Sequence, residues 1–323
     1  MILTRAEATL KIREYTNPRF SRASAHLISQ YAQILMLVFV AVKAFENLPR
    51  IGMALCLVIF FIMMLIGARQ YAVLVLLHDA QHNLLSKNKK LNDLFARYLI
   101  AAPLLSFFDK SRSSHLDHHQ HLGDPIQDPD YESYCGGSPQ KIPFRNLIKY
   151  LLIEMTGNKL LQILKGKKKP IGKHLKKTGG PGDLLRIMGA QALVVLIFKF
   201  AFGSFFYYFL FWVLPIVTFA LLFNQIRLFA EHSIPEIQAR KLFSDEILFT
   251  FKSNAFERFL ISPNNMNYHA EHHLFPVVPF YNLPKVREII LKCPELCAKF
   301  QLERSYTAHI TNYFINAKTK YAS

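Results

Sequence analysis

Cysteine is scarce in this sequence, and the few cysteines present are not spaced as metal ligands. Four occur in 323 residues, at positions 56, 135, 293 and 297, and none belongs to a Cys-x-x-Cys pair. Structural zinc sites, iron–sulfur clusters and disulfide frameworks normally need paired or regularly spaced cysteines. The sequence therefore argues against all three, and it indicates a reducing compartment for the loops.

Acidic residues are also few: the chain has 22 Asp and Glu against 39 Lys and Arg, a net charge of +17. Such a balance would ordinarily favour binding to nucleic acid. Here the cations flank apolar blocks, where they determine which ends of membrane helices stay in the cytosol beside anionic lipid. We therefore expect membrane lipids as partners, and no nucleic acid.

The basic run at 165–177 contains seven lysines and begins Lys165-Gly166-Lys167. By the positive-inside tendency this loop is cytosolic. Its role is either orientation with contact to lipid head groups, which we favour, or docking of an acidic electron-transfer partner.

Long apolar stretches are what the sequence does contain. Hydrophobic residues make up 51% of the chain, with 28 Phe and 14 Tyr, and they are bunched into blocks. The block lengths predict four transmembrane helices, at 27–42, 51–77, 184–202 and 205–223. The second continues to His82, and because a helix over 51–82 rises about 48 Å, its end projects beyond a hydrocarbon core of about 30 Å. A shorter apolar run at 94–108, interrupted by Pro103, predicts a re-entrant or interfacial helix.

These stretches predict an all-α integral membrane protein with a single domain over 1–323. Four transmembrane helices form two hairpins, and a cytosolic helical cap joins them. The predicted segments are a cytosolic tail (1–26), a first hairpin (27–77), a cytosolic region with the re-entrant helix and the basic loop (78–183), a second hairpin (184–226) and a cytosolic C-terminal region (227–323). With four crossings, both termini lie on the cytosolic side.

The spacing of the histidines is the pattern that indicates a metal site. The spacing His-x-x-His-His occurs twice, and a shorter His-x-x-x-His occurs upstream of both. Residues three and four apart share one face of a helix, and neutral imidazole is a common ligand of transition metals. A polar helix surface would explain one such motif but not three. The histidines of the three motifs are His78 and His82; His115, His118 and His119; and His269, His272 and His273.

With the isolated His232, nine imidazoles lie on the predicted cytosolic side. A mononuclear zinc site needs only three or four protein ligands. Nine therefore predict two metal ions with open positions for substrate or oxygen. Iron is the natural metal for oxidative work, although imidazole also suits zinc, copper and nickel.

Each histidine group has an acidic neighbour that is able to accept the second ring N–H and so orient the imidazole. These neighbours are Asp79, Asp117, Glu231 and Glu271. We predict that role for at least two of them, the alternative being solvated helix residues. His121 lies off the ligand face, and His26, His174 and His309 are expected to be ordinary surface residues.

The motifs His78-Asp79-Ala80-Gln81-His82, His115-Leu116-Asp117-His118-His119 and His269-Ala270-Glu271-His272-His273 resemble those of the membrane fatty acid desaturase and hydroxylase superfamily. The continuations Leu122-Gly123 to Asp128-Pro129-Asp130 and Leu274-Phe275-Pro276 to Tyr281-Asn282-Leu283-Pro284 are similar to its bacterial desaturase-like members. The resemblance implies a non-haem di-iron centre in a cytosolic cap, located at the bacterial inner membrane.

Matched residue by residue, the resemblance implies nine metal ligands: His78, His82, His115, His118, His119, His232, His269, His272 and His273. Some members add an Asn that holds a metal through water, and Asn265 and Asn267 are both candidates. The centre would use O₂ as co-substrate and two electrons to desaturate an acyl lipid. The apolar run 71–77 would either line an acyl channel or pack between helices.

The electron donor is expected to be a separate protein, either a ferredoxin or a cytochrome b5-type protein with its reductase. We find no segment for a fused haem domain and no cysteine ligands for an iron–sulfur cluster. The alternatives within the superfamily are a hydroxylase and a carotenoid ketolase or hydroxylase. A remote alternative is a membrane metal transporter, but its ligands would be expected at the bilayer midplane.

Overall fold

The computed structural model describes residues 2–47, 52–124, 126–131, 181–232 and 248–319. The basic run at 165–177 and His174 lie outside these residues. The described helices are α1 (Arg5–Arg13), α2 (Phe20–Asn47), α3 (Met53–Gln81), α4 (Lys89–Phe95), α5 (Phe108–His121), α6 (Pro181–Phe202), α7 (Phe206–His232), α8 (Ala255–Leu260), α9 (His269–Leu274), α10 (Leu283–Ile290), α11 (Pro294–Cys297) and α12 (Tyr306–Thr319). The strands are β1 (Leu248–Phe251) and β2 (Phe300–Glu303), and single 3₁₀ turns cover Met266–Tyr268 and Phe280–Asn282.

Among the described residues, four helices are long and apolar enough to cross a membrane: α2, α3, α6 and α7. The four predicted apolar blocks fall on these four helices. The helices extend past the apolar blocks, because hydropathy marks only the lipid-facing part while backbone hydrogen bonding continues into polar turns. Helix α2 begins at Phe20 rather than near residue 27, and α7 ends at His232 rather than near residue 223. Helix α3 is continuous to Gln81, as predicted.

The long helices pack through small and branched side chains. Ile34 and Val38 of α2 and Ile62 and Ile66 of α3 are buried in one hydrophobic core. Helices α3 and α7 approach closely at Gly67, where an added Cβ would lie 2.5 Å from the Cβ of Phe219 on α7. Only glycine permits this separation of α3 and α7.

The apolar run 71–77, on the last third of α3, is almost entirely buried. Val73, Leu76 and Leu77 belong to the core shared with α2, and Tyr71 and Val75 belong to a second core with Phe219. Helix packing therefore accounts for the burial of this run.

Helix α4 continues as a π-helix over Ala96–Ala101 and ends before Pro103. Together they are too short to span a bilayer, as expected for this run. Side chains of α6 and α7 bind the backbone carbonyl groups that follow the π-helix. Gln191 Nε2 donates to the oxygens of Ala102 (2.8 Å) and Pro103 (3.0 Å), and Trp212 Nε1 donates to the oxygen of Pro103 (3.0 Å). These bonds allow an irregular backbone to pack beside membrane helices.

The prediction that the chain is all-α is wrong in one detail. Strands β1 and β2 form a parallel pair in which Leu248 lies opposite Phe300 and Phe251 lies opposite Glu303. Each strand has only four residues, and the partners are about fifty positions apart. Such a pair leaves no periodic signal in the sequence, because its stability comes from tertiary contacts.

The segment before α2 packs onto the C-terminal region. Ala8 and Ile12 of α1 share a buried core with Leu283, Val286 and Ile290 of α10. The backbone N–H of Leu3 also donates to the oxygen of Lys292 at 2.7 Å. This packing fixes the entrance to α2 beside the helices that carry the downstream histidines.

Candidate metal centre

The nine histidines come from four helix ends that meet at one place. His78 lies in the last turn of α3 and His82 follows its end, while His232 is the last residue of α7. Helix α5 contributes three histidines and α9 contributes three. The structure thus brings together all nine residues that the sequence predicted, from segments separated by nearly two hundred positions.

Five imidazoles form the first group. One ring nitrogen from each lies within 4.8 Å of the others, in His78, His82, His115, His119 and His272. The Nε2 atoms of His82 and His115 are 2.8 Å apart, and those of His272 and His119 are 3.2 Å apart. The nitrogens therefore converge on a single point.

Four imidazoles form the second group. His118, His232 and His273 lie within the same 4.8 Å limit. The Nε2 atom of His269 joins them, at 2.9 Å from the Nε2 atoms of both His232 and His273. The two groups touch where the ring of His119 stacks on that of His273, with centroids 4.2 Å apart.

These spacings fit coordinated metal ions. Two nitrogens bound at right angles, each about 2.1 Å from a metal, lie about 3.0 Å apart, and the observed Nε2 separations are 2.8–3.2 Å. Both ring nitrogens of His78 are buried and make no hydrogen bond to a described residue. Such groups are costly to bury unless a partner binds them. The residues present therefore fit two metal ions.

The protonation of the groups also favours metal binding. Burial lowers the pKa of His82 to about 4 and that of His119 to about 3. For the same reason the pKa lies well below the ordinary 6.5 in four further histidines: His115, His269, His272 and His273. Neutral imidazole offers the lone pair that a metal requires.

Asp128 orients one of the rings, a role that the sequence analysis missed. Its carboxylate is fully buried and accepts a hydrogen bond from His118 Nδ1 at 2.9 Å. The backbone N–H groups of Gly123 and Asp130, each at 2.9 Å, hold the carboxylate in place. Burial acts most strongly on the pKa of His118, but the hydrogen bond and charge of Asp128 outweigh it and raise that pKa. The sequence pattern that could have indicated Asp128 is the Asp-Pro dipeptide after the second histidine motif.

Two of the four acidic neighbours lie beside imidazoles. A Glu231 oxygen is 3.4 Å from His269 Nδ1, and an Asp79 oxygen is 3.9 Å from His78 Nδ1. Glu231 also pairs with Arg227, and it accepts the hydroxyl of Tyr306 at 2.6 Å.

The other two acidic neighbours lack this arrangement. Glu271 pairs with Arg287 at 2.7 Å, and Asp117 forms no ion pair with any described residue. That at least two of these carboxylates support the metal ligands stays a prediction.

The three other described histidines differ in how deeply they are buried. The prediction that His309 is a surface residue is wrong: it is buried, with its ring 4.8 Å from that of Phe249, because β1 packs beneath α12. His121 is half-buried and contacts the oxygen of Asp117 at 3.1 Å. His26 is half-buried against Phe280, with ring centroids 5.1 Å apart.

The side chains of the two candidate asparagines, Asn265 and Asn267, differ in their hydrogen bonds. Asn265 Nδ2 donates to the oxygen of Phe280 at 3.1 Å, and Asn267 Nδ2 donates to that of Phe251 at 3.0 Å. The Oδ1 of Asn267 is buried with no hydrogen-bond partner among the described residues. It therefore has an acceptor available for a water molecule, as the predicted role requires.

Comparison with known proteins gives one family and two relatives. The family model described as fatty acid desaturase matches residues 54–304, which contain all nine histidines. The chain is 28% identical over 244 residues to the dihydrorhizobitoxine desaturase of Bradyrhizobium elkanii, covering 72% of this chain and 67% of that protein. It is 26% identical over 215 residues to the zeaxanthin 4-ketolase of Chlamydomonas reinhardtii, covering 66% of this chain but only 40% of the ketolase.

Proposed function

Since the chain belongs to the fatty acid desaturase family, we propose that it introduces a double bond into a fatty acyl chain at a histidine-held di-iron centre. The reaction consumes one O₂, two electrons and two protons, removes two hydrogens from the acyl chain and releases two waters. The electrons come from an external ferredoxin or a cytochrome b5-type donor. The four membrane helices fit an acyl substrate that is dissolved in the bilayer.

The observation that carries this proposal is the convergence of nine imidazoles into two touching groups. Five nitrogens surround one point and four surround the other. The first group would hold one iron through His78, His82, His115, His119 and His272, and the second group would hold the other. The bound iron supplies the oxidising power that attacks an unactivated C–H bond, a chemistry outside the reach of amino-acid side chains.

The chain's own residues hold and orient the ligands. Asp128 accepts the Nδ1 proton of His118, so that the Nε2 lone pair of this ring points at the second group. Glu231 lies 3.4 Å from Nδ1 of His269, where its charge acts on that ring. Both carboxylates are fully buried, so their charges offset part of the charge that two iron ions bring into the site.

The orientation in the membrane follows from the same placement. The histidines lie at the last turns of α3 and α7, and we assign these ends to the cytosolic side of a bacterial inner membrane. Both termini and the cap lie on that side, where reduced ferredoxin or cytochrome b5-type donors are available. A metal transporter is disfavoured because its ligands would lie at the middle of the membrane helices.

A carotenoid ketolase is the second candidate, supported by the zeaxanthin 4-ketolase relative. It would use the same metal centre and O₂ on a neutral polyene. A hydroxylase differs only in that oxygen returns to the carbon instead of a second hydrogen leaving. Lipid and pigment analysis of cells that express the protein separates the three by the product: a new double bond, a hydroxyl or a ketone.

Metal content tests the centre itself. Detergent-purified protein should hold two irons per chain and consume O₂ only when a reductant is supplied. His118→Ala should lose iron, whereas His121→Ala, three residues away and outside both groups, should keep it. Stoichiometric zinc without reductant-dependent O₂ uptake, or equal iron in the two variants, would overturn the proposal.

A further inference from the structure

A cleft on the cap, which we call the cationic cleft, lies between the start of α2 and the beginning of α10. Its volume is about 230 Å³. The residues that line it are Glu14, Tyr15, Asn17, Arg19, Arg22, Asn282 and Lys285. Three of them are cations and only one is an anion, so the cleft carries a local excess of positive charge. Concave sites of one sign focus the electric field on ligands of the other sign.

Aromatic rings hold two of the cations. The guanidinium of Arg22 lies over the ring of Tyr281, with 4.9 Å to the centroid, and Lys285 Nζ lies 5.7 Å from that of Tyr15. Cation–π contacts position a charge but leave its N–H groups available. Among the described residues, neither cation has a carboxylate within ion-pair distance.

The cleft is built from contacts between distant parts of the chain. The backbone N–H of Arg19 donates to the Tyr281 hydroxyl at 2.6 Å, and Asn282 Nδ2 donates to the oxygen of Tyr15 at 2.8 Å. These bonds tie the segment before α2 to the turn Phe280–Asn282. The fold therefore sets the backbone positions from which the cations project.

The same turn reaches the metal centre. The backbone N–H of Phe280 donates to Asp79 Oδ2 at 2.9 Å, and Asp79 directly follows His78. Tyr281, the next residue, carries the ring that lies against Arg22, one of the cations that line the cleft. A group held in the cleft is thus separated from the first histidine group by one short turn. The cleft lies at the start of α2, a helix long and apolar enough to cross a membrane, and the ends of such helices lie near lipid head groups.

We propose that the cationic cleft binds the phosphate-bearing head group of the substrate while its acyl chain extends towards the metal centre. This inference rests on the proposed function, and it selects an anionic acyl substrate over a neutral carotenoid. Arg22 is able to contact a phosphate through two parallel N–H groups, and Lys285 adds a point charge. The phosphate belongs either to a soluble acyl carrier or to a phospholipid, which offer the same chemistry.

Direct binding to the full-length protein in detergent tests the cleft. Two water-soluble probes separate the sources: coenzyme A for a soluble carrier, and dihexanoyl phosphatidylglycerol, compared with dihexanoyl phosphatidylcholine, for a lipid. The double variant Arg22→Gln/Lys285→Gln should weaken the binding of whichever probe is bound by about tenfold or more, as expected for two charge-assisted contacts. Glu14→Gln should tighten it. Lys43→Gln, at the opposite end of α2, is the matched control and should change nothing.

Weaker binding of coenzyme A in the double variant supports a soluble carrier, and weaker binding of the phosphatidylglycerol probe supports a phospholipid. The proposal is overturned if neither probe binds the wild-type protein, or if the double variant binds as the wild type does. Iron content is measured on the same preparations. Full iron without phosphate binding refutes only the cleft, whereas phosphate binding without iron refutes only the metal centre.

Discussion

Removing the Asp128 carboxylate should release one of the two metal ions and leave the other in place. This carboxylate is buried and accepts a hydrogen bond from His118, which belongs to the second group. Asp128→Asn keeps the shape of the side chain and removes its charge. Losing a carboxylate behind a metal-bound imidazole typically costs 10- to 100-fold in metal affinity, or roughly 1.4–2.8 kcal/mol.

The assay is titration with a chelator of graded strength, followed by metal analysis of the purified protein. At a chelator concentration that leaves two irons in the wild-type protein, Asp128→Asn should retain about one, because the first group keeps its five imidazoles. Asp124→Asn is the matched control: this carboxylate lies in the same loop and accepts N–H groups of Ile126 and Gln127, but it contacts no histidine of either group.

Equal iron retention in Asp128→Asn and the wild-type protein would refute the role assigned to Asp128. Equal loss in the Asp124→Asn control would show instead that the loop as a whole, and not the carboxylate behind His118, supports the metal.

Three further outcomes are expected. Gly67→Ala should lower stability by about 1–3 kcal/mol, a typical cost of overpacking, because its Cβ would lie 2.5 Å from that of Phe219. Gly189→Ala, which has open space around it, should be neutral or stabilising in the same thermal unfolding assay. The metal-free protein should become less stable as the pH falls from about 6.5 to about 4. In that pH window His82 and His119 become protonated in the unfolded chain but stay neutral in the folded protein, where their pKa values are about 4 and about 3. A Tm independent of pH would contradict this. Removing the metal with a chelator should lower Tm, and restoring iron should reverse the loss by mass action, whereas an unchanged Tm would mean that no metal is bound in the folded state.

The sequence was sufficient for the features that depend on local periodicity. The four membrane helices are contiguous apolar blocks, and the histidines three and four positions apart occupy one face of a helix whatever surrounds them. Their spacing therefore predicted eight ligand candidates, and the isolated His232 was added because of its predicted cytosolic position and the family resemblance. The convergence of the groups itself needed the tertiary structure, because α3, α5, α7 and α9 meet through contacts between distant residues.

The features that the sequence did not predict depend on such long-range contacts. His309 is buried because β1 passes beside it, and the partner of β1 is a strand some fifty residues away. Asp128 serves His118 through a loop whose conformation depends on backbone bonds from Gly123 and Asp130. Glu271 also adjoins a histidine motif in the sequence, but its carboxylate forms an ion pair with Arg287.

The distribution of the imidazoles along the chain sets an order of maturation. Each of the two groups contains histidines from α9: His272 in the first, and His269 and His273 in the second. Neither can be complete until synthesis has passed residue 273, when α2, α3, α6 and α7 have already left the ribosome for the bilayer. We therefore expect iron to load late, into a polypeptide that has already been inserted. Shortage of the metal would then leave behind an assembled but empty scaffold rather than an uninserted chain.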